Sequence, residues 1–204
     1  MTDKPHPGGT GSIGTNTVAR VGYGAMQLFE TSADDAAAVL RRAVELGVNH
    51  IDTASCYGPG EVNRRIRKAL APYPDDLVIV SKVGARYTGD DPIPLAAAQR
   101  PAELRAAVED DLSQLGLDRI PVVNLRRMDL GPGVQAEGDQ VVDLDDQLAE
   151  MIALRDEGKI GGIGVSSVPL DVVRRALPAG IACVQNAYSL LDRSQEEKIG
   201  RAHV

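Results

Sequence analysis

The sequence predicts an α/β protein assembled from parallel βα units, and three observations carry that reading. Short runs rich in β-branched residues alternate with stretches of helical periodicity. The runs begin near residues 20, 48, 77, 120, 160 and 181, a mean spacing of about 32 residues, which is the length of one βα unit. Each run is apolar on both faces, which demands helices outside and a packed interior within, as in a doubly wound sheet or a β/α barrel. A solenoid would carry a shared repeat consensus, and these units share none.

Taken in order, the first strand covers residues 20–28. Ser32 opens a helix whose apolar Ala36, Val39, Leu40, Ala43, Val44 and Leu46 recur at helical spacing, and Gly47 ends it. A strand at 48–53 follows at once. Residues 61–70 form a basic helix, 77–82 a buried strand, 102–115 a helix closed by Gly116, and 120–126 the fourth strand. A helix at 144–156, a glycine-rich strand at 160–165, a short helix at 170–177 and a strand at 181–188 complete six units. A barrel closes at eight strands and about 250 residues, so on a barrel reading the 204-residue chain is two units short. Residues 199–204 carry no helix or strand pattern and read like a translated library adapter. The expectation is a partial domain over residues 1–198, a non-native tail over 199–204, and a chain that is inactive as it stands.

Composition narrows the function. With 22 Lys+Arg against 29 Asp+Glu the net charge is −7, which argues against a nucleic-acid partner, and 3% aromatic content argues against base-stacking platforms. No apolar run approaches the ~18–20 residues of a membrane span and the first residues lack the apolar stretch of a signal peptide, so no membrane partner and a cytoplasmic location are expected. Cys56 and Cys183 have no metal-ligand spacing, and neither a disulfide nor a metal site is expected.

The chemistry is written where the strands end. Asp52, Lys82 and the Arg126-Arg127 pair are unusual charges for apolar strands, and Tyr57 follows Asp52 closely. Side chains alternate along a strand, so outward Ile51 and Thr53 imply inward His50 and Asp52, and outward Ile79 and Ser81 imply inward Val80 and Lys82. A carboxylate and an ammonium at that depth pair to offset desolvation. A phenol, ordinarily titrating near pKa 10, becomes a usable proton donor only beside such a cation.

The runs GVNHIDTASCYG at 47–58, SKVG at 81–84, GKIGGIGVSS at 158–167 and VQNAY at 184–188, in that order and spacing, resemble the aldo-keto reductase superfamily, with a hint of its bacterial pyridoxal reductase-like branch. The resemblance covers about residues 18–193. It implies a (β/α)8 TIM barrel, here with about six of eight units, that binds NADPH across its mouth and transfers hydride to a small-molecule aldehyde or ketone. It implies Tyr57 as the acid, tuned by Asp52 and Lys82. The family's usual histidine on the fourth strand is replaced by Arg126, whose guanidinium can still polarise a carbonyl. Gly24, Ala25, Met26 and Asp52 are the implied cofactor contacts at one side of the mouth. Ser166 and Gln185 are implied holders of the nicotinamide carboxamide, with Ser167 where the family has asparagine. Two other classes stay open: a nicotinamide-binding regulatory subunit without turnover, and a lyase using Lys82 as a Schiff base.

Other features read more plainly. The GxGxxG spacing at 9–14 lacks a preceding strand and reads as a turn. His50 reads as an interior histidine, Cys56 as an ordinary loop thiol, the basic run 64–68 as a solvated helix face, and Gly131-Pro132-Gly133 equally as a flexible loop at the substrate mouth or an ordinary surface loop.

Overall fold

The computed structural model describes residues 5–89, 94–128, 134–193 and 196. Gly131-Pro132-Gly133 and the tail at 199–204 lie outside the described residues. The chain opens with a hairpin, β1 (Thr10–Ile13) against β2 (Asn16–Ala19), where Gly14 takes φ +58 in the two-residue connection. The GxGxxG spacing is therefore part of this hairpin. Val18 from β2 packs with Val78, Val80 and Val122, so the hairpin plugs the N-terminal end of the sheet's interior.

The main sheet takes β3 (Tyr23–Gly24), β4 (His50–Asp52), β5 (Val78–Val83), then after a second hairpin of β6 (Ala85–Tyr87) and β7 (Leu95–Ala97), β8 (Ile120–Arg126), β9 (Ile160–Ser166) and β10 (Cys183–Gln185). Its six strands run parallel in the order β3, β4, β5, β8, β9, β10. This is an incomplete (β/α)8 barrel with six of its strands among the described residues. The helices are α1 (Ala33–Glu45), α2 (Glu61–Leu70), α3 (Pro101–Leu115), α4 (Leu144–Asp156) and α5 (Leu170–Ala176). No described helix is long and apolar enough to cross a membrane.

Alternation decides which side chains meet the helices. Ile51, Ile79, Val83, Val123, Leu125, Ile163 and Val165 face outward and join Leu40, Ile66, Leu104, Met151 and Leu154 of the helices in one buried cluster. Each such side chain contributes about 1.5–3 kcal/mol on burial. The other parity, His50, Asp52, Val78, Val80, Lys82, Val122 and Asn124, is left to the interior.

The two edge strands are shorter than the sequence predicts. Residues 20–28 keep only Tyr23–Gly24 as strand, because Met26–Phe29 coil into a 3-10 turn that buries Leu28. Residues 181–188 keep Cys183–Gln185, paired by β9 alone among the described residues. A single neighbour supports fewer ladder bonds, and the chain peels away sooner. The helix at 170–177 ends at Ala176 and tightens into a 3-10 turn over Leu177–Ala179.

Candidate active site

Asp52 ends β4, Lys82 is the fifth residue of β5, and the strand register brings their ends side by side. Lys82, 8% exposed, has three N–H donors and three acceptors around it. Nζ donates to Asp52 Oδ1, to the Thr53 carbonyl at 2.9 Å and to the Tyr57 hydroxyl at 3.2 Å. It also lies 5.1 Å from the Tyr57 ring centroid. The Tyr57 turn is tied to the same place: Ser55 N and Ser55 Oγ both donate to the Lys82 carbonyl, at 3.3 and 3.2 Å. Asp52, Lys82 and Tyr57 thus lie together at the strand ends.

The Arg126-Arg127 pair splits. Alternation sends Arg126 toward the mouth, in register with Ser166, and its charge acts on the Cys56 thiol, which burial nonetheless pushes up. Arg127 turns outward and is buried, donating to Gln147 Oε1 at 2.9 Å and to the Val142 carbonyl at 3.3 Å. Behind Arg126, the Gln99 side chain grips its carbonyl at 2.9 Å.

On the other side of the mouth, Ala25 N donates to the Asp52 carbonyl at 2.8 Å, fixing the Gly24-Ala25-Met26 segment over the strand end. Ser166 ends β9, buried. Ser167 has φ +57, the left-handed region, and is the only non-glycine residue there among those described. It is held: Ser167 N donates to the Gln185 carbonyl at 3.1 Å, while Asn186 accepts from Val168 N at 3.0 Å and donates to the Val168 carbonyl at 2.8 Å. Gln185 Nε2 donates to Asp52 Oδ2.

A cleft of about 420 Å3 joins these groups, lined by the 22–27 segment, His50, Asp52, Tyr57, Lys82 and Gln185. A Cβ added at Gly24 would meet nothing within 4 Å, so space is open beside the strand end. His50 lines the cleft, and its Nε2 is buried without a partner among the described residues. Burial holds its imidazole below the usual histidine range, with Asp52 opposing. A carboxamide would find the Gln185 amide in the wall of this cleft, with the buried Ser166 in register beside it on β9. A larger hollow lined by Arg64, Arg67, Lys68 and Gln114 lies on the outer face between α2 and α3, away from this chemistry. No metal-like cluster of three or more His, Cys, Asp or Glu exists among the described residues.

A second network, missed in the sequence, backs the strand ends. Asp111 on α3 is fully buried and accepts from Ser81 Oγ at 2.5 Å and Asn63 Nδ2 at 2.6 Å, and Thr53 Oγ1 donates to Asn63 Oδ1 at 2.8 Å. Thr53 follows Asp52 and Ser81 precedes Lys82, so the network braces both. The signal was legible: Asp111 falls on the apolar stripe Leu104, Val108, Leu115 of its helix.

Burial pushes the Asp111 carboxyl up to about 7, with the Ser81 and Asn63 hydrogen bonds and the Lys82 charge opposing and Asp110 adding to the rise. A raised native pKa means that the folded chain holds this proton after the unfolded chain has lost it. Its stabilisation is full below about pH 4 and disappears as pH rises through about 7. Asp111→Asn removes that slope, on the order of a few kcal/mol. Urea midpoints of both proteins across this range, compared pairwise, check it: parallel curves contradict it.

The comparisons with known proteins agree with the geometry. The model of the aldo/keto reductase family matches residues 20–202. The chain is 45% identical over 199 residues to pyridoxine 4-dehydrogenase of Escherichia coli (strain K12), covering 93% of this chain and 67% of that protein. It is 34% identical over 199 residues to an oxidoreductase, C215.11c, of Schizosaccharomyces pombe, covering 93% and 60%. The holo form of aldo-keto reductase AKR11C1 from Bacillus halodurans superposes with a TM-score of 0.77 at 28% identity, over 92% of this chain and 60% of that one.

Proposed function

The chain belongs to the aldo/keto reductase family, and from that premise we propose that its strand-end cluster serves the NADPH-dependent reduction of an aldehyde or ketone, with Tyr57 as general acid. The observation that carries the reading is the Lys82 ammonium shared between Asp52 and the Tyr57 hydroxyl on the floor of an open cleft. The reduced nicotinamide supplies hydride to the carbonyl carbon when it is bound. Tyr57 donates the proton to the carbonyl oxygen, and its hydroxyl, already accepting from Lys82 Nζ, keeps its own hydrogen free to point at substrate. Asp52 accepts from Lys82 and holds it in place in the interior. Arg126, where the family has histidine, polarises the carbonyl from the other wall. Gln185 and Ser166 orient the carboxamide, and Gly24, Ala25 and Met26 line the cofactor's path.

The substrate class follows from the wall beside Tyr57. Phe29 and Tyr87 meet edge to face with centroids 5.8 Å apart, Phe29 lying against Gly58, so a planar ring finds apolar surface next to the acid. Pyridoxal is the first compound to assay, given what the E. coli relative is called.

The matched stretch is 60–67% of the relatives' length, and both sheet edges, Tyr23–Gly24 and Cys183–Gln185, lack a second neighbour among the described residues. Two forms are therefore compared: the 204-residue chain, and the chain continued with the last third of the E. coli relative. NADPH fluorescence quenching reports binding, and loss of reduced-nicotinamide absorbance with pyridoxal and other aromatic aldehydes reports turnover. Turnover in the continued form, with little in the short one, is the expected result. Tight binding without turnover would favour the regulatory-subunit reading, which the exchange of histidine for Arg126 permits.

A further inference from the structure

Asn124 lies on β8 two residues before Arg126, is 1% exposed, and is flanked on its strand by apolar Val123 and Leu125. By register it shares an interior layer with Lys82 on one side and Gly164 on the other. A buried amide has to satisfy both its ends. Asn124 does so beyond the neighbouring strand: Nδ2 donates to Gln185 Oε1 at 3.0 Å, and Oδ1 accepts from Cys183 Sγ at 3.2 Å, both on β10. It crosses β9 at Gly164, where an added Cβ would stand 1.8 Å from Asn124 Oδ1 and 2.7 Å from Cys183 Sγ. No larger residue leaves that passage open.

The orientation of every group in this chain of contacts is determined from one end. Asp52 is an acceptor only, so Gln185 must turn its NH2 toward it. Gln185 Oε1 then faces Asn124, which must present its own NH2 and turn Oδ1 to Cys183. The thiol completes the sequence as a donor, since burial and the Asp52 charge push it up to about 11.

We infer that Asn124 is a positioning residue for the nicotinamide site: it fixes Gln185 in one amide orientation, leaving the second Oε1 lone pair to accept a carboxamide N–H. This rests on the nicotinamide reading given above. Asn124→Leu removes the donor at similar size and frees Gln185 to turn. NADPH binding should weaken about tenfold, the equivalent of one neutral hydrogen bond, while ADP-ribose, which lacks the nicotinamide, binds as before.

The test measures both ligands by titration on the 204-residue chain and on its continued form, with Gln185→Met and the double variant completing a cycle. The expected results are a selective loss for NADPH and no further loss when Asn124→Leu is added to Gln185→Met. Should the leucine variant fail to fold, Gly164→Ala displaces Asn124 from the other side and should give the same selective loss. An unchanged NADPH affinity, an equal loss for ADP-ribose, or additive losses in the double variant would overturn the inference. Wild-type protein that binds no nicotinamide nucleotide in either form overturns it together with the reading it rests on. NADPH binding without carbonyl turnover overturns the catalytic reading alone.

Discussion

On the proposed role of Tyr57, its replacement by phenylalanine is expected to lower hydride transfer in the continued chain by ~10²–10⁴-fold, the usual worth of a positioned general acid, with NADPH binding retained. The ring stays, so its packing and the Lys82 contact with its face survive. Only the hydroxyl that Lys82 Nζ holds at 3.2 Å is lost, and with it the proton for the carbonyl oxygen. Because that proton moves in the transition state, the loss falls on kcat and kcat/KM together. Stopped-flow reduction of pyridoxal by both proteins reads it. Equal rates would remove Tyr57 from the chemistry.

Lys82→Met is expected to damage both the rate and the fold. The side chains of Lys82 and Asp52 are 9% and 15% exposed, so methionine leaves a nearly buried carboxylate without its cation. Breaking such a pair costs about 3–5 kcal/mol. The Thr53 carbonyl and the Tyr57 hydroxyl lose a donor as well. Gln185 Nε2 still donates to Asp52, which keeps the loss from growing larger. Urea unfolding of the variant should show a midpoint well below wild type. A midpoint within error of wild type would mean that Asp52 is not held by Lys82.

The pairing of Asp52 with Lys82 was legible in the sequence because alternation is a property of the strand's own backbone. The outward neighbours on each strand, Ile51 with Thr53 and Ile79 with Ser81, suffice to turn the charges inward. Tyr57 could be placed only by resemblance, since it sits in a turn with no period. Register is set between strands, and no single strand carries it, so the reach of Asn124 across Gly164 to Gln185 was not legible, although an inward asparagine beside Arg126 was in plain view. The hairpins β1/β2 and β6/β7 went unread for a similar reason: their strands of three or four residues are too short to show a period. The early end of the edge strands reflects neighbours that the local sequence does not contain.

The proposed reaction brings a nicotinamide and a carbonyl together in this cleft beside Tyr57. Incubating the continued chain with NADPH deuterated at the transferring carbon and with pyridoxal, then locating the label by mass spectrometry and NMR, tests it directly. Deuterium on the new carbinol carbon in wild type, and its near absence with Tyr57→Phe at equal cofactor occupancy, is the predicted result. Carbonyl loss without label, trapped instead by borohydride on Lys82, would contradict it.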